Sequence, residues 1–69
     1  MVYVVQNRLK EIRMREYMMD QKQFYTMLGI SKSTYSQIEN NKQQGNIETI
    51  LKIAKALSRP VEEIWFLED

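Results

Sequence analysis

The chain has 69 residues, 43% hydrophobic and 28% charged, with no Cys and no His; this is the composition of one small globular domain with a thin core, since such a length buries only about 60% of its unfolded surface. Without Cys or His there can be no disulfide, no Cys/His zinc site, no Cys nucleophile and no imidazole-dependent triad. Net charge is only +1, but residues 1–42 carry seven Lys/Arg against four Asp/Glu while residues 43–69 carry three against five, so the basic part comes first.

The longest apolar run is about five residues, far below the roughly twenty that span a bilayer, and the opening segment lacks a signal peptide's basic start and long apolar stretch, so a cytoplasmic protein without a membrane partner is expected. Met1 to Val5 is short, apolar and β-branched, which suits an edge strand. Leu9, Ile12, Arg13 and Tyr17 recur at helical spacing and predict an amphipathic helix over roughly 6–17. Asp20 is placed to cap a second helix from Gln21, with Gln23 completing a capping box, and Gly29 is placed to close it after Leu28. Ser31 caps a third helix, Lys32 to Asn40, which Asn40-Asn41 can end because Asn tolerates the left-handed conformation. Asn46 caps a fourth helix with Ile47, Ile50, Leu51, Ala54 and Leu57 on one face. Pro60 at a first-turn position, with Glu62 and Glu63 after it, predicts a short fifth helix, and Trp65-Phe66-Leu67 closes the chain.

Two short helices joined by a glycine-containing turn make a helix-turn-helix over about residues 21–40, whose second helix would enter the DNA major groove. At about 100° per residue, Lys32, Ser33, Ser36, Gln37 and Asn40 fall within roughly 140° of one another, while Thr34, Tyr35 and Ile38 lie opposite. The polar face holds no carboxylate, and amides, hydroxyls and an ammonium group suit phosphate oxygens and base edges. Glu39 lies at its margin, nearer the core.

The stretch Gln21 to Asn40, QKQFYTMLGISKSTYSQIEN, resembles the helix-turn-helix of the Xre/Cro family of lambda-repressor-like DNA-binding proteins. NRLKEIR at Asn7 to Arg13 is similar to the family's first helix, and IETILKIAKAL at Ile47 to Leu57 followed by Pro60 to Ile64 is similar to its last two. The resemblance implies one all-α, five-helix domain over residues 1–69. It also implies a sequence-specific transcriptional regulator, a repressor that binds a palindromic operator in double-stranded DNA as a homodimer, without a cofactor or a metal. By this likeness Lys32, Ser33, Ser36 and Gln37 match base-contacting positions, and Gln21, Ser31, Thr34, Asn40 and Lys42 match phosphate-contacting ones. Gln21 would also brace the reading helix. Glu39 matches a structural glutamate held by an arginine of the first helix, here Arg13.

The chain departs from the family at several places. Tyr25 stands where a small residue, commonly Ala, is usual, and Tyr35 where Ile or Val is; the two rings are expected to pack together, with their hydroxyls reaching solvent or a phosphate. The spacing from Arg13 to Gln21 is one residue longer, through Tyr17-Met18-Met19. The chain ends, Val2 to Val5 and Trp65 to Leu67, are expected to pair as a small two-stranded antiparallel ribbon beside the helices. Ile53, Leu57, Val61, Ile64 and Trp65 would supply part of a dimer contact, or else cap one monomer's core.

The alternative to a DNA regulator is an antitoxin-like or other protein-interaction subunit that docks through Met14, Met18, Met19 and Met27. Catalysis has only Glu62/Glu63 and Glu68/Asp69 as material, and these are better explained by the helix dipole and solubility, so the expectation is not an enzyme.

Overall fold

The computed structural model describes residues 3–68. Strand β1 (Val4–Asn7) leads into α1 (Leu9–Ile12), which continues as a π-helical segment, Arg13–Tyr17; α2 (Gln21–Leu28), α3 (Lys32–Glu39), α4 (Ile47–Ala56), α5 (Val61–Ile64) and strand β2 (Trp65–Glu68) follow. β1 and β2 pair antiparallel, Val4 opposite Glu68, Val5 opposite Leu67, Gln6 opposite Phe66 and Asn7 opposite Trp65. The chain ends therefore form the expected ribbon, although Val2, part of that expectation, lies outside the described residues. The pairing also corrects the first helix, which begins at Leu9 and not at Gln6. Gln6 and Asn7 give their backbone to the ribbon, and the Asn7 side chain accepts from the Leu9 amide at 3.1 Å.

Local sequence explains most helix ends. Asp20 accepts from the Gln23 amide at 2.8 Å and Gln23 accepts from the Asp20 amide at 3.1 Å, a complete capping box. Ser31 accepts from the Thr34 amide at 3.2 Å and Asn46 from the Thr49 amide at 2.8 Å; each such cap stabilises by about 1 kcal/mol. Pro60 is itself the N-cap of α5, one position earlier than expected. Three helices close in the same way. A left-handed residue (Gly29 at φ 74°, Asn41 at φ 60°, Ser58 at φ 54°) turns the chain, and the next amide reaches back to a carbonyl five residues earlier: Ile30 to Tyr25 at 3.1 Å, Lys42 to Gln37 at 2.9 Å, Arg59 to Ala54 at 3.0 Å.

The longer spacing between Arg13 and Gln21 is absorbed by the π-helical winding, whose i to i+5 bonding takes up an extra residue without ending the helix. Met18, in the left-handed region at φ 52°, then breaks it.

The core joins Leu9 and Ile12 of α1, Phe24 and Leu28 of α2, Tyr35 and Ile38 of α3, Ile53 and Ala54 of α4 with Leu57 just beyond it, Ile64 of α5 and Trp65 of β2. Tyr17, Phe24 and Tyr35 stack edge to face, with ring centroids 5.5 and 5.7 Å apart. Tyr25 lies 6.3 Å from Tyr35, so the two unusual tyrosines do pack together. The expectation for their hydroxyls is corrected at Tyr35, which is fully buried.

On α4 the apolar stripe is wider than the contact it makes. Ile53, Ala54 and Leu57 are buried and Ile50 half-buried, while Ile47 and Leu51, expected on the same inward face, are 69% and 54% exposed. Ile53, Leu57, Ile64 and Trp65, offered as dimer contacts, are consumed by the chain's own core, and Val61 packs against it half-buried. They cap the monomer.

Candidate nucleic-acid interface

α3 owes its orientation to a buried charge pair beneath it. Glu39 Oε1 accepts from Arg13 Nη2 at 3.1 Å and from Gln21 Nε2 at 3.4 Å, while Arg13 Nη1 donates to the Met19 carbonyl at 3.0 Å. The side chains of Arg13 and Glu39 are only 11% and 3% exposed. Four parts of the chain thus meet at one ion pair: the end of α1, the segment before α2, the start of α2 and the end of α3. Burial alone would raise the Glu39 carboxyl, but the adjacent Tyr35 hydroxyl, Arg13 guanidinium and Gln21 amide outweigh it and hold the group below its ordinary value. Burial pushes the Tyr35 phenol up, and the Glu39 charge beside it pushes in the same direction. The Tyr35 hydroxyl and Glu39 Oε2 make no hydrogen bond of standard geometry; one is a donor and the other an acceptor, so together they form a complementary, imperfectly closed pair.

Above this anchor, Lys32, Ser33, Ser36 and Gln37 line one shallow depression on the outer surface of α3. These are the four positions expected to contact bases. Gln37 Nε2 donates to Ser33 Oγ at 3.4 Å, and Asn40 Nδ2 to Ser36 Oγ at 3.4 Å, so the face is laced along its length by i, i+4 contacts weak enough to be exchanged for a ligand. The Gln43 amide also donates to Gln37 Oε1. No acidic side chain lines the depression.

The positions expected to meet phosphates are more scattered. Ser31 and Thr34 sit together at the start of α3, the Ser31 hydroxyl donating to Thr34 Oγ1 at 3.0 Å, with Ser31 exposed and Thr34 half-buried. Asn40 and Lys42 are exposed at its far end. Gln21 is exposed overall while its amide is engaged with Glu39, a geometry that links the start of α2 to α3. Hydrogen-bond donors therefore lie at both ends of α3 with an acid-free surface between them.

A second polar cluster holds the loop after α3. Asn7 Nδ2 shares its protons among the Ile38 carbonyl at 2.7 Å, Gln44 Oε1 at 2.9 Å and Asn41 Oδ1 at 3.1 Å. Gln44 also accepts from Trp65 Nε1 at 3.1 Å and donates to the Val5 carbonyl at 3.1 Å. The ribbon is thereby latched to the end of α3. Nothing in the local sequence marks Asn7 or Gln44 for this task, because the contacts that join the ribbon to the end of α3, Asn7 to Ile38, Asn41 and Gln44 and Gln44 to Val5, each span more than thirty residues.

The helix-turn-helix family profile matches residues 9–64 of the chain, from the first residue of α1 to the last of α5. The chain belongs to the Xre/lambda-repressor-like helix-turn-helix family. Searches of curated proteins and of solved structures found no match. Family membership makes the chain a DNA-binding regulator in the general sense, from a family that is not enzymatic. It also fits the layout of α2 and α3, with the Gly29 turn between them bringing the acid-free face to the surface. Among the described residues no helix is long and apolar enough to cross a membrane.

Proposed function

We propose that this helix-turn-helix protein is a sequence-specific transcriptional repressor that binds a palindromic operator as a homodimer, with α3 in the major groove. The observation that carries this reading is the acid-free depression lined by Lys32, Ser33, Ser36 and Gln37, because a face pressed against anionic DNA is penalised by any carboxylate it presents. Gln37 suits the N6/N7 edge of adenine and Lys32 the O6/N7 edge of guanine; Ser33 and Ser36 contact either. Gln21, Ser31, Thr34, Asn40 and Lys42 hold the phosphates on the two sides of the groove. No cofactor is needed, and the work is done in the cytoplasm.

Pairing across a two-fold axis would set two α3 helices about 34 Å apart, one helical turn of DNA. Ile47 and Leu51 on α4, and Val5 and Leu67 on the ribbon, are exposed apolar side chains available to a second copy. A second reading, a subunit that holds another protein, draws on the exposure of Met14, Met18 and Met27.

Selection of bound sequences from random duplexes tests the proposal. The expected product is an inverted repeat with half-sites about 10 base pairs apart, together with amide chemical-shift changes over residues 32–42 on titration. Absence of enrichment, with unchanged α3 resonances and copurification of a stoichiometric protein, would replace the first reading with the second.

A further inference from the structure

The structure has a second basic surface that the reading helix does not use. A wide cleft opens between the ribbon and α1 and reaches the end of α3; Arg8, Lys10 and Arg15 line it together with Phe66, Asn7 and Asn41. Its charge is unbalanced. Arg15 is paired with Glu11 at 3.2 Å, and the one other acid on its wall, Glu39, is neutralised by Arg13. Arg8 and Lys10 have no ion pair among the described residues. The Arg8 guanidinium is held over the Phe66 ring, 5.1 Å from its centroid, so a cation is fixed in place with its donors still open to solvent.

The position of the cleft identifies its occupant. Asn41, on its wall, follows α3 and precedes Lys42, and Glu39, also on its wall, is the last residue of α3, so the cleft reaches the C-terminal end of that helix. A duplex whose major groove holds α3 has a sugar-phosphate backbone on each side of a groove about 12 Å wide, and the cleft lies at the C-terminal end of that helix. Among the described residues the acids of the second half stand elsewhere, Glu48 on α4, Glu62 and Glu63 on α5 and Glu68 at the end of β2, and none of these four lines the cleft.

We infer that this cleft is a second DNA-backbone site, in which Arg8 and Lys10 take phosphates beyond those met by α3 and its flanking turns. The inference rests on the DNA-binding reading above and extends the contact from the helix-turn-helix to the chain-end ribbon. Phe66 is a positioning residue for Arg8. It also gives the ribbon a use, since the strand that carries Phe66 sets where the Arg8 charge stands.

The test is the salt dependence of binding by the full chain to its best selected duplex and to a random duplex, for wild type, Arg8→Gln, Lys10→Gln and Lys55→Gln. Each phosphate contact contributes about 0.9 to the log-log slope, so each cleft variant should flatten the slope by about that amount. The affinity lost between 50 and 200 mM salt then shrinks by about 3.5-fold per contact removed, and both duplexes weaken alike. Lys55→Gln removes the same charge from the last turn of α4 and should leave the slope nearly unchanged. Unaltered slopes in both cleft variants, or an equal change in Lys55→Gln, would overturn the inference, as would losses confined to the selected duplex. Failure of wild type to bind any duplex is a different outcome and would overturn the DNA-binding reading itself.

Discussion

Replacing Arg13 by Met strands a buried carboxylate. Glu39, with a side chain 3% exposed, would keep only the Gln21 amide at 3.4 Å as a hydrogen-bond partner of standard geometry. Removing one member of a buried pair in this way costs about 3–5 kcal/mol, against a total stability of roughly 3–10 kcal/mol for a chain of this size. Glu39→Gln should cost less, about 1.5–3 kcal/mol, because Arg13 retains the Met19 carbonyl at 3.0 Å and more contact with water. The double variant Arg13→Met/Glu39→Met buries no charge and should recover part of the loss of Arg13→Met alone. Urea unfolding followed by circular dichroism measures all three, and the double-mutant cycle gives the coupling. Acid adds a signed test. The folded carboxyl lies below its ordinary 4.5, so its contribution is complete above that pH and is lost as pH falls through the folded value. As pH falls from above 4.5 through the folded value the wild type should therefore lose stability more steeply than Glu39→Gln. An Arg13→Met cost below about 1 kcal/mol, or identical acid profiles for wild type and Glu39→Gln, would refute the role given to this pair.

Three further outcomes are expected. Gln37→Ala should weaken binding to the selected duplex by about 1–3 kcal/mol with little change on random DNA, and equal losses on both would make Gln37 a backbone contact. Gly29→Ala should destabilise by about 1 kcal/mol or more, because φ is 74° there and an added Cβ would stand 3.3 Å from the Lys52 side chain; a thermal melt reads the change. Asn7→Ala should cost about 1–3 kcal/mol and speed hydrogen exchange over residues 41–45, since that one amide reaches the Ile38 carbonyl, Asn41 and Gln44; unchanged exchange would mean the latch does not hold the loop.

Much of this protein could be read along the chain because the deciding interactions are short-range. Asp20, Ser31 and Asn46 cap helices through amides three residues away, Gly29 and Asn41 turn the chain at the helix ends, and the acid-free side of α3 follows from residue identity and helical period alone. The pairing of the two ends followed from their shared apolar, unpartnered character, and the partner of Glu39 from a family likeness.

What the order of residues did not decide is which side of an apolar stripe wins the core and where a side chain's distant partner lies. Ile47 and Leu51 carry the same hydrophobic signal as Ile53 and Leu57, yet only the latter pair is buried, because α4 meets its neighbours along one edge of the stripe. Tyr35 offers a hydroxyl that sequence alone sends to solvent, but the fold closes Arg13 and Glu39 around it. The Asn7–Gln44 latch and the Arg8–Phe66 stack join residues tens of positions apart, and they come into being only when the ribbon brings the chain ends to the end of α3. Local chemistry decided the elements and the acid-free face of α3; burial and long-range polar pairing, which depend on what packs against what, decided how that face is held.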